Sequence, residues 1–215
     1  MKQLRIFFIV THYNFLAKIL LTKKQRLLLG KVKLLHGDQV RKYTGEPYWT
    51  HPLAVALSVR KSKLGLFEAA LCHDLYEDTD CDFTILYNAM IYFGYDEGFV
   101  YDTCAMVKDL TNVFSTGDYP NYNRAVRRKN EADRISSIPV KTQIIKLADI
   151  NHNTKSITKH APKFAKIYKS EKQHMISCMF NSEMVTTRID NFGIENDSLY
   201  KLWFEQYKRA VINTK

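Results

Sequence analysis

Four ionisable side chains lie within six residues of the sequence, in the segment AALCHDLYEDTD at residues 69–80. They form two adjacent pairs, His73 with Asp74 and Glu77 with Asp78. The apolar residues around them predict a helix, which would place residues 73 and 77 one turn apart on the same face. Three carboxylates held close together repel one another and lose solvation unless a positive charge lies among them. The segment therefore favours a bound cation.

The kind of cation follows from the chemistry of the side chains. Histidine offers an imidazole nitrogen and aspartate an oxygen, and the divalent ions of Mn, Fe, Zn and Co accept both donors. We expect His73 and Asp74 to bind such an ion. Glu77 and Asp78, a turn further on, could hold a metal-bound water and take its proton. An ordinary structural histidine beside an aspartate is the alternative for this pair taken alone.

Two further segments carry side chains of the same kind. His51 stands at the start of an amphipathic helix in YWTHPLAVA, where Pro52 fixes the first turn. Asp149 follows an apolar run in IIKLADINHN, with Asn153 one turn later. A carboxylate in that position is costly unless it is paired or bound to metal. Taken singly, a capped histidine and a buried salt bridge are the alternatives, but the three segments together predict a metal site.

The elements that must position these residues are predicted to be helices. Apolar residues recur at helical spacing through most of the chain, and no alternating strand of convincing length appears, so the predicted fold class is all-α. The segment KYTGEPYWTHP is predicted to be a loop, followed by a helix from Pro52, and Gly94 is predicted to cap another helix. The helix in TKKQRLLLGKVKLLHGDQV is expected to bury Leu27, Leu28, Val32, Leu34 and Leu35.

Length, charge and cysteine content narrow the class of protein. The 215 residues are enough for one domain with a hydrophobic core. A net charge of +10 favours polyanionic partners such as nucleic acid, anionic lipid or a phosphorylated small molecule. The four cysteines contain no C-x-x-C pair, which argues against a zinc-cysteine site and a disulfide framework and favours reduced, cytosolic thiols. Cys72, beside His73, is expected to be a core residue.

The N-terminal segment does not have the pattern of a targeting sequence. Its longest apolar run covers residues 6–10, which is too short for a signal peptide or for a membrane span. We expect an additional element packed on the domain, with a helix lying on a membrane surface as the alternative.

The segments RKYTGEPYWTHPLAVA, AALCHDLYEDTD and IKLADINHNTKS resemble the signature segments of the HD superfamily of metal-dependent phosphohydrolases. In finer detail they are similar to small alarmone hydrolases and to the hydrolase domain of Rel/SpoT-type (p)ppGpp enzymes, which the H-D-x-x-E-D-T string distinguishes from the wider superfamily. The resemblance covers residues 25–167, about two thirds of the chain. It implies a single all-helical HD-type domain around one metal ion, usually Mn²⁺, with other divalent transition metals as alternatives.

The resemblance also implies roles for individual residues. It implies hydrolysis of the 3′-pyrophosphate of (p)ppGpp to GDP or GTP and pyrophosphate, by a water that Glu77 and Asp78 activate. The metal ligands that it implies are His51, His73, Asp74 and Asp149. Cations, hydroxyls and an amide suited to phosphate and ribose occupy the substrate-binding positions, which are Arg41, Lys42, Thr44, Lys146, Asn153 and Ser156.

The sequence departs from the family pattern at positions that bear on substrate preference more than on metal binding. Ile150 follows LAD where the family commonly has arginine, and Trp49 takes a place that is usually aliphatic. The expected organisation is an N-terminal extension at residues 1–24, the hydrolase domain at 25–167 and a C-terminal helical segment of the same domain at 168–215. The chain beyond residue 167 is too short for a synthetase domain, so no synthesis activity is expected.

Two other functions stay open at this point. One is an HD phosphohydrolase acting on another nucleotide, such as the 2′-phosphate of NADPH, a nucleoside monophosphate or a pyrophosphorylated tRNA end. The other is a non-catalytic module that binds nucleotide or RNA, against which the Glu77–Asp78 pair argues. The expected partner is a guanosine nucleotide alarmone as substrate, with nucleic acid not favoured, no transmembrane segment and a cytoplasmic location. Nothing in the sequence indicates the oligomeric state.

Overall fold

The structure is a computed structural model that describes residues 2–60, 65–181 and 198–215. Within these residues the regular structure is helical, apart from an isolated antiparallel bridge between Val40 and Pro47. The all-α prediction is therefore confirmed. The helices are α1 (Lys2–Leu20), α2 (Lys23–His36), α3 (Thr50–Val59), α4 (Leu66–Cys72), α5 (Leu75–Asp78), α6 (Phe83–Tyr92), α7 (Glu97–Leu110), α8 (Arg124–Ser137), α9 (Val140–His160), α10 (Pro162–Phe180) and α11 (Ser198–Thr214).

The described chain divides into two compact units. The first unit contains the described residues up to 108, and the second contains those from 109 onwards. His51, His73 and Asp74 belong to the first unit, and Asp149 belongs to the second. The boundaries that the sequence suggests, at residues 24 and 167, stay predictions.

In the first unit α3 packs extensively against α4, and helix α2 packs against α4 and α5. The prediction that α2 buries Leu27 and Leu34 is wrong, since these side chains are 42% and 72% exposed. A run of three leucines is compatible with several helix faces, so composition alone does not show which of them meets the core. The side chains that α2 buries are Leu28, Leu29, Val32 and His36.

A capping box begins α2 and ties it to α4. Thr22 Oγ1 accepts from the Gln25 backbone N–H at 3.2 Å, and Gln25 Oε1 accepts from the Thr22 N–H at 3.1 Å. The Gln25 amide also donates to the buried carboxylate of Glu68 at 3.0 Å. Tyr95 donates to the same carboxylate oxygen at 3.3 Å, and burial raises the pKa of Tyr95, so its phenol stays protonated. The buried acid of α4 is thus hydrogen-bonded from two sides.

The segment that carries the His-Asp and Glu-Asp pairs is not one continuous helix, so this prediction is wrong. Helix α4 ends at Cys72, and Asp74 adopts φ −96° and ψ −3°, in the bridge region between helix and strand conformations. A new turn begins there, in which the Asp78 N–H donates to the Asp74 carbonyl at 2.9 Å. All residues of α4 are buried, whereas Glu77 and Asp78 of α5 are exposed.

The predicted loop before α3 is confirmed as a tight, internally bonded turn. Its ends are joined by the bridge between Val40 and Pro47, and the Arg41 N–H donates to the Glu46 carbonyl at 2.8 Å. Gly45 has φ +72°, which only glycine adopts without strain. Helix α3 begins at Thr50, two residues earlier than predicted. The predicted cap of α6 is also confirmed, since Gly94 follows its C-terminus with φ +82°.

Helix α1 contacts the rest of the first unit through a few side chains. The ring of Tyr13 meets Trp49 edge-on with 6.5 Å between centroids, and Lys33 donates to Asn14 at 2.8 Å. No helix among the described residues has the length and apolar character needed to cross a membrane. Large apolar side chains of α1 that stay 59–63% exposed are Leu4, Phe7, Phe8, Phe15 and Ile19.

The second unit is assembled around α9, which packs against α10 and α11, while α8 packs on α10. Trp203 of α11 is 1% exposed and donates from Nε1 to Gln143 Oε1 of α9 at 3.0 Å. Its ring stacks on Tyr207 with 5.2 Å between centroids. Helix α11 therefore packs through its aromatic residues in the core of the second unit.

Candidate metal centre

Two histidines and an aspartate, from α3 and from the junction between α4 and α5, converge in the first unit. His51 is the second residue of α3, His73 follows the last residue of α4, and Asp74 precedes α5. One potential ligand atom from each lies within 4.8 Å of the others. His73 Nε2 is 3.1 Å from Asp74 Oδ1, and His51 Nε2 is 3.5 Å from Asp74 Oδ2. Both histidines are at most 2% exposed, so the cluster is held in a well-packed part of the unit.

The orientation of the His73 ring suits a metal ligand. Its Nδ1 lies 2.8 Å from the carbonyl oxygen of Ala70 in the preceding helical turn. A carbonyl only accepts, so Nδ1 carries the proton and the lone pair of Nε2 points towards Asp74. The rings of His51 and His73 meet edge-on with 5.1 Å between centroids. Two imidazole nitrogens and a carboxylate oxygen form a donor set that accepts a divalent transition metal.

Tyr48 connects the metal-site carboxylate to the acidic pair of α5. Its hydroxyl lies 2.6 Å from Asp78 Oδ2 and 3.0 Å from Asp74 Oδ2. Burial, followed by the negative charges of Asp74 and Asp78, raises the pKa of Tyr48, so the phenol keeps its proton. Sequence reasoning missed this residue. The available signal was its place three residues before His51, but its partners depend on how the loop folds.

The carboxylate of Asp78 has an environment that favours proton uptake. Partial loss of solvation at the carboxyl group, and next the negative charge of Asp74, raise the pKa of Asp78, while the hydrogen bond from Tyr48 opposes the rise. The Gln39 amide donates to the Asp78 backbone carbonyl at 2.6 Å and fixes this turn from the end of α2. Glu77 is exposed on the same short helix. The structure thus brings Asp78 into contact with the cluster through Tyr48.

The predicted substrate-binding residues of the first unit lie on the turn before α3. The guanidinium of Arg41 is 6.0 Å from the ring centroid of Tyr48, which places this cation next to the cluster. The ammonium of Lys42 lies over the ring of Tyr43 at 5.6 Å. Thr44 Oγ1 accepts from the Glu46 N–H at 3.4 Å, so this hydroxyl supports the turn itself.

The other predicted site residues lie along one stripe of α9 in the second unit. Asp149 is buried, and its carboxylate meets Lys146 Nζ at 3.4 Å and the amide nitrogen of Asn153 at 2.6 Å. Ser156 follows one turn further on, half-buried, and its carbonyl accepts from His160 Nδ1 at 2.9 Å. The salt bridge expected as the structural alternative for Asp149 is therefore present. Its assignment as a fourth metal ligand stays a prediction.

Lys172 of α10 is a further cation that sequence reasoning missed. Burial, and next the positive charge of Lys146, lower the pKa of Lys172 to about 8, while Asp149 acts in the opposite direction. Two lysines therefore share the neighbourhood of one carboxylate, and an incoming anion would relieve their repulsion. No pattern in the sequence indicates Lys172, since its role depends on the packing of α10 against α9.

Comparison with known proteins finds a similar protein that is named as a ppGpp hydrolase, the kind of enzyme that the three segments resemble. The chain is 31% identical over 130 residues to the guanosine-3′,5′-bis(diphosphate) 3′-pyrophosphohydrolase of Aquifex aeolicus (strain VF5). The match covers 57% of this chain and 16% of that protein, so the chain spans about one sixth of the relative's length. No family model matches the sequence.

A solved structure has a similar fold. It belongs to a metazoan ortholog of SpoT, described as hydrolysing ppGpp with a role in starvation responses. The TM-score is 0.62 at 18% identity, and the match covers 88% of this chain and 96% of that one. At this identity the similarity shows a shared helical fold. The resemblance that rests on the three sequence segments is confirmed by the 31% identity to the ppGpp 3′-pyrophosphohydrolase, and the solved structure adds the similar fold.

Proposed function

We propose that this chain hydrolyses the 3′-pyrophosphate of (p)ppGpp and releases GDP or GTP together with pyrophosphate. The observation that carries the proposal is the cluster of His51, His73 and Asp74, linked through Tyr48 to Asp78. The similarity to a ppGpp 3′-pyrophosphohydrolase supports the choice of substrate.

The donor set of the cluster supports a resident divalent metal ion, for which we propose Mn²⁺. His51, His73 and Asp74 would hold it, with Asp149 proposed as the fourth protein ligand. Such an ion polarises phosphoryl oxygens and lowers the pKa of water. The Ala70 carbonyl would keep His73 in the tautomer that a metal requires, through the 2.8 Å contact with Nδ1.

Residues of the first unit are proposed to activate the water and to position the carboxylates. Glu77 and Asp78 are proposed to orient the attacking water and to accept its proton. The 2.6 Å contact between Tyr48 and Asp78 supports this role, because it holds the carboxylate beside Asp74 of the cluster. Tyr48 would hold the carboxylates of Asp74 and Asp78 in a fixed relative orientation. The proposed metal ligand and the proposed base would then not rotate independently.

The substrate carries phosphate groups on two sides of its ribose and therefore needs cationic and polar groups at separate places. We propose that phosphate binding uses the cations on the turn before α3 and on α9 and α10. Asn153 would bond the ribose through its amide. Thr44 and Ser156 are the proposed hydroxyl contacts. The cationic residues in this assignment are Arg41, Lys42, Lys146 and Lys172.

Product identification tests the proposal directly. Purified protein is incubated separately with ppGpp, NADPH and a nucleoside monophosphate in the presence of Mn²⁺, and the products are resolved by anion-exchange chromatography. GDP and pyrophosphate from ppGpp, at a kcat/KM far above that for the other two, are the expected result. Dominant release of orthophosphate from NADPH would instead assign another nucleotide, and tight binding without turnover would assign a binding module.

Glu77→Gln is the matched variant for this assay, since it keeps the size and hydrogen-bonding capacity of the side chain but removes a base. Turnover of ppGpp should fall by about 10²–10⁴-fold, the usual contribution of a positioned acid or base. Bound metal, measured by elemental analysis, should stay at the wild-type level. Unchanged turnover would remove Glu77 from the mechanism.

A further inference from the structure

A second group of potential metal ligands lies on helices α8 and α10. His174 and Cys178 are one turn apart on α10, and Asp133 lies on α8, which packs against α10. Cys178 Sγ is 3.7 Å from His174 Nε2 and 3.9 Å from Asp133 Oδ1. One potential ligand atom from each of the three lies within 4.8 Å of the others. None of these residues has a place in the proposed hydrolysis.

The distances between these atoms are close to those of a tetrahedral zinc site. A zinc–sulfur bond of about 2.3 Å and zinc–nitrogen or zinc–oxygen bonds of about 2.0–2.1 Å put the ligand atoms roughly 3.5 Å apart. The sulfur of Cys178 is within a few tenths of an ångström of that separation from both partners. Because residues four apart on a helix project to the same side, the backbone already holds His174 and Cys178 in place.

The surroundings of the cluster support ion entry and charge balance. Asp133 and His174 are exposed and Cys178 is half-buried, so an ion can reach all three from solvent. Lys129 Nζ lies 3.4 Å from Asp133 Oδ2, which leaves Oδ1 of the same carboxylate directed towards the thiol. Sulfur, nitrogen and oxygen donors together select a thiophilic divalent ion over Mg²⁺ or Ca²⁺.

A cysteine nucleophile is the competing use of the same residues, and the geometry argues against it. A nucleophile needs a histidine base that a third group orients. Here Asp133 approaches the sulfur of Cys178 itself.

We propose that Asp133, His174 and Cys178 form a second metal site, which takes Zn²⁺ with three protein ligands and one position left for water. A bound ion connects α8 to α10 by direct coordination and so stabilises the second unit. This site shares no residue with the cluster of His51, His73 and Asp74, and that cluster includes no cysteine.

Cobalt substitution tests the site, because only a thiolate gives Co²⁺ an intense near-ultraviolet charge-transfer absorption. The metal-free, reduced 215-residue chain is titrated with Co²⁺, and then with Zn²⁺ as the competitor. We expect the band to appear with one equivalent and to disappear on addition of Zn²⁺. Cys178→Ser should abolish the band, and His174→Ala and Asp133→Asn should weaken Co²⁺ binding at this site by at least tenfold. No band in the wild type, or an equal band in Cys178→Ser, would overturn the proposal.

His12→Ala is the control for loss of a surface histidine, since His12 is exposed on α1 and should leave the band unchanged. A second measurement follows the unfolding midpoint, which a ligand of the folded state raises by mass action. Zn²⁺ should raise the unfolding midpoint of the wild type more than that of His174→Ala. Equal rises would contradict the proposal that a bound ion connects α8 to α10. Hydrolysis of ppGpp by Cys178→Ser should stay within about twofold of wild type, so failure of the proposed hydrolysis leaves the cobalt result unaffected.

Discussion

The phenol of Tyr48 is the residue-scale feature that most distinguishes this site from a simple metal-binding triad. It contacts one carboxylate of the metal cluster and one of the proposed bases, Asp74 and Asp78, at 3.0 Å and 2.6 Å. A carboxylate fixed by a hydrogen bond loses less freedom when the reaction takes place, which is how positioning lowers a barrier.

Tyr48→Phe tests this positioning role by removing the hydroxyl alone. A hydrogen bond to a charged group contributes about 1.5–3 kcal/mol, so kcat for ppGpp should fall by roughly 10–100-fold if the contact acts in the transition state. KM should change much less, because the phenol is not proposed to touch the substrate. Steady-state kinetics with Mn²⁺ in excess give both constants.

Tyr43→Phe is the control for Tyr48→Phe, since it removes a phenol from the same turn. Its ring lies beside Lys42. This variant should retain at least half of the wild-type kcat. Equal losses in the two variants would mean that the turn, and not the Tyr48 hydroxyl, determines the rate.

The candidate site was predictable where adjacent sequence carries the chemistry. His73 and Asp74 are neighbours, and His51 stands beside a helix-starting proline, so three of the predicted ligands are found together in the first unit. Tyr48 and Lys172 were not predictable. The first acquires its partners only when the bridge between Val40 and Pro47 closes the turn, and the second only when α10 packs on α9.

At the scale of single elements, the helix ends are determined by local side-chain contacts. The capping box of α2 satisfies the backbone N–H groups of Thr22 and Gln25 at the helix start. The same helix supports the site from behind, because the Gln39 amide that follows it donates to the Asp78 carbonyl at 2.6 Å. The stability of α2 as a whole therefore bears on the turn that carries the proposed bases.

Thr22→Ala should destabilise the first unit by about 1 kcal/mol, the typical cost of losing a side-chain cap. Chemical denaturation followed by circular dichroism measures the loss. Thr22→Ser keeps the hydroxyl and should stay within about 0.5 kcal/mol of the wild type. If the serine variant loses as much as the alanine variant, the methyl group and not the hydrogen bond accounts for the effect.

Most helices could be predicted from their apolar spacing, but the division between α4 and α5 could not. The segment from Leu66 to Asp78 contains no proline or glycine that would mark an interruption. Only the backbone angles of Asp74 separate the two helices. A site residue in the bridge region is a common exception to local helix preference, and composition does not show it.

At the scale of the whole molecule, the net charge of +10 acts on any anionic substrate before contact is made. Opposite charges attract over a range set by the ionic strength, about 10 Å at 0.1 M salt. Groups in contact with a bound ligand are screened less than groups exposed to solvent. Substrate capture should therefore depend on salt more than the chemical step does.

KM for ppGpp should rise at least several-fold between roughly 20 mM and 300 mM NaCl, while kcat changes by less than about twofold. Initial rates at constant Mn²⁺ concentration provide both constants. Potassium glutamate at matched ionic strength is the control for specific effects of chloride. A KM that does not change with either salt would mean that local contacts, and not the overall charge, govern capture.

The chain has two tryptophans, and they fall in different units. Trp49, two residues before His51, has the ammonium of Lys33 at 3.9 Å from its ring, whereas Trp203 is enclosed in the second unit against Tyr207. Each unit thus carries its own intrinsic fluorophore, in a distinct electrostatic environment. Replacing one tryptophan with phenylalanine leaves emission from a single unit, so the melting of each half can be observed spectroscopically without an added dye.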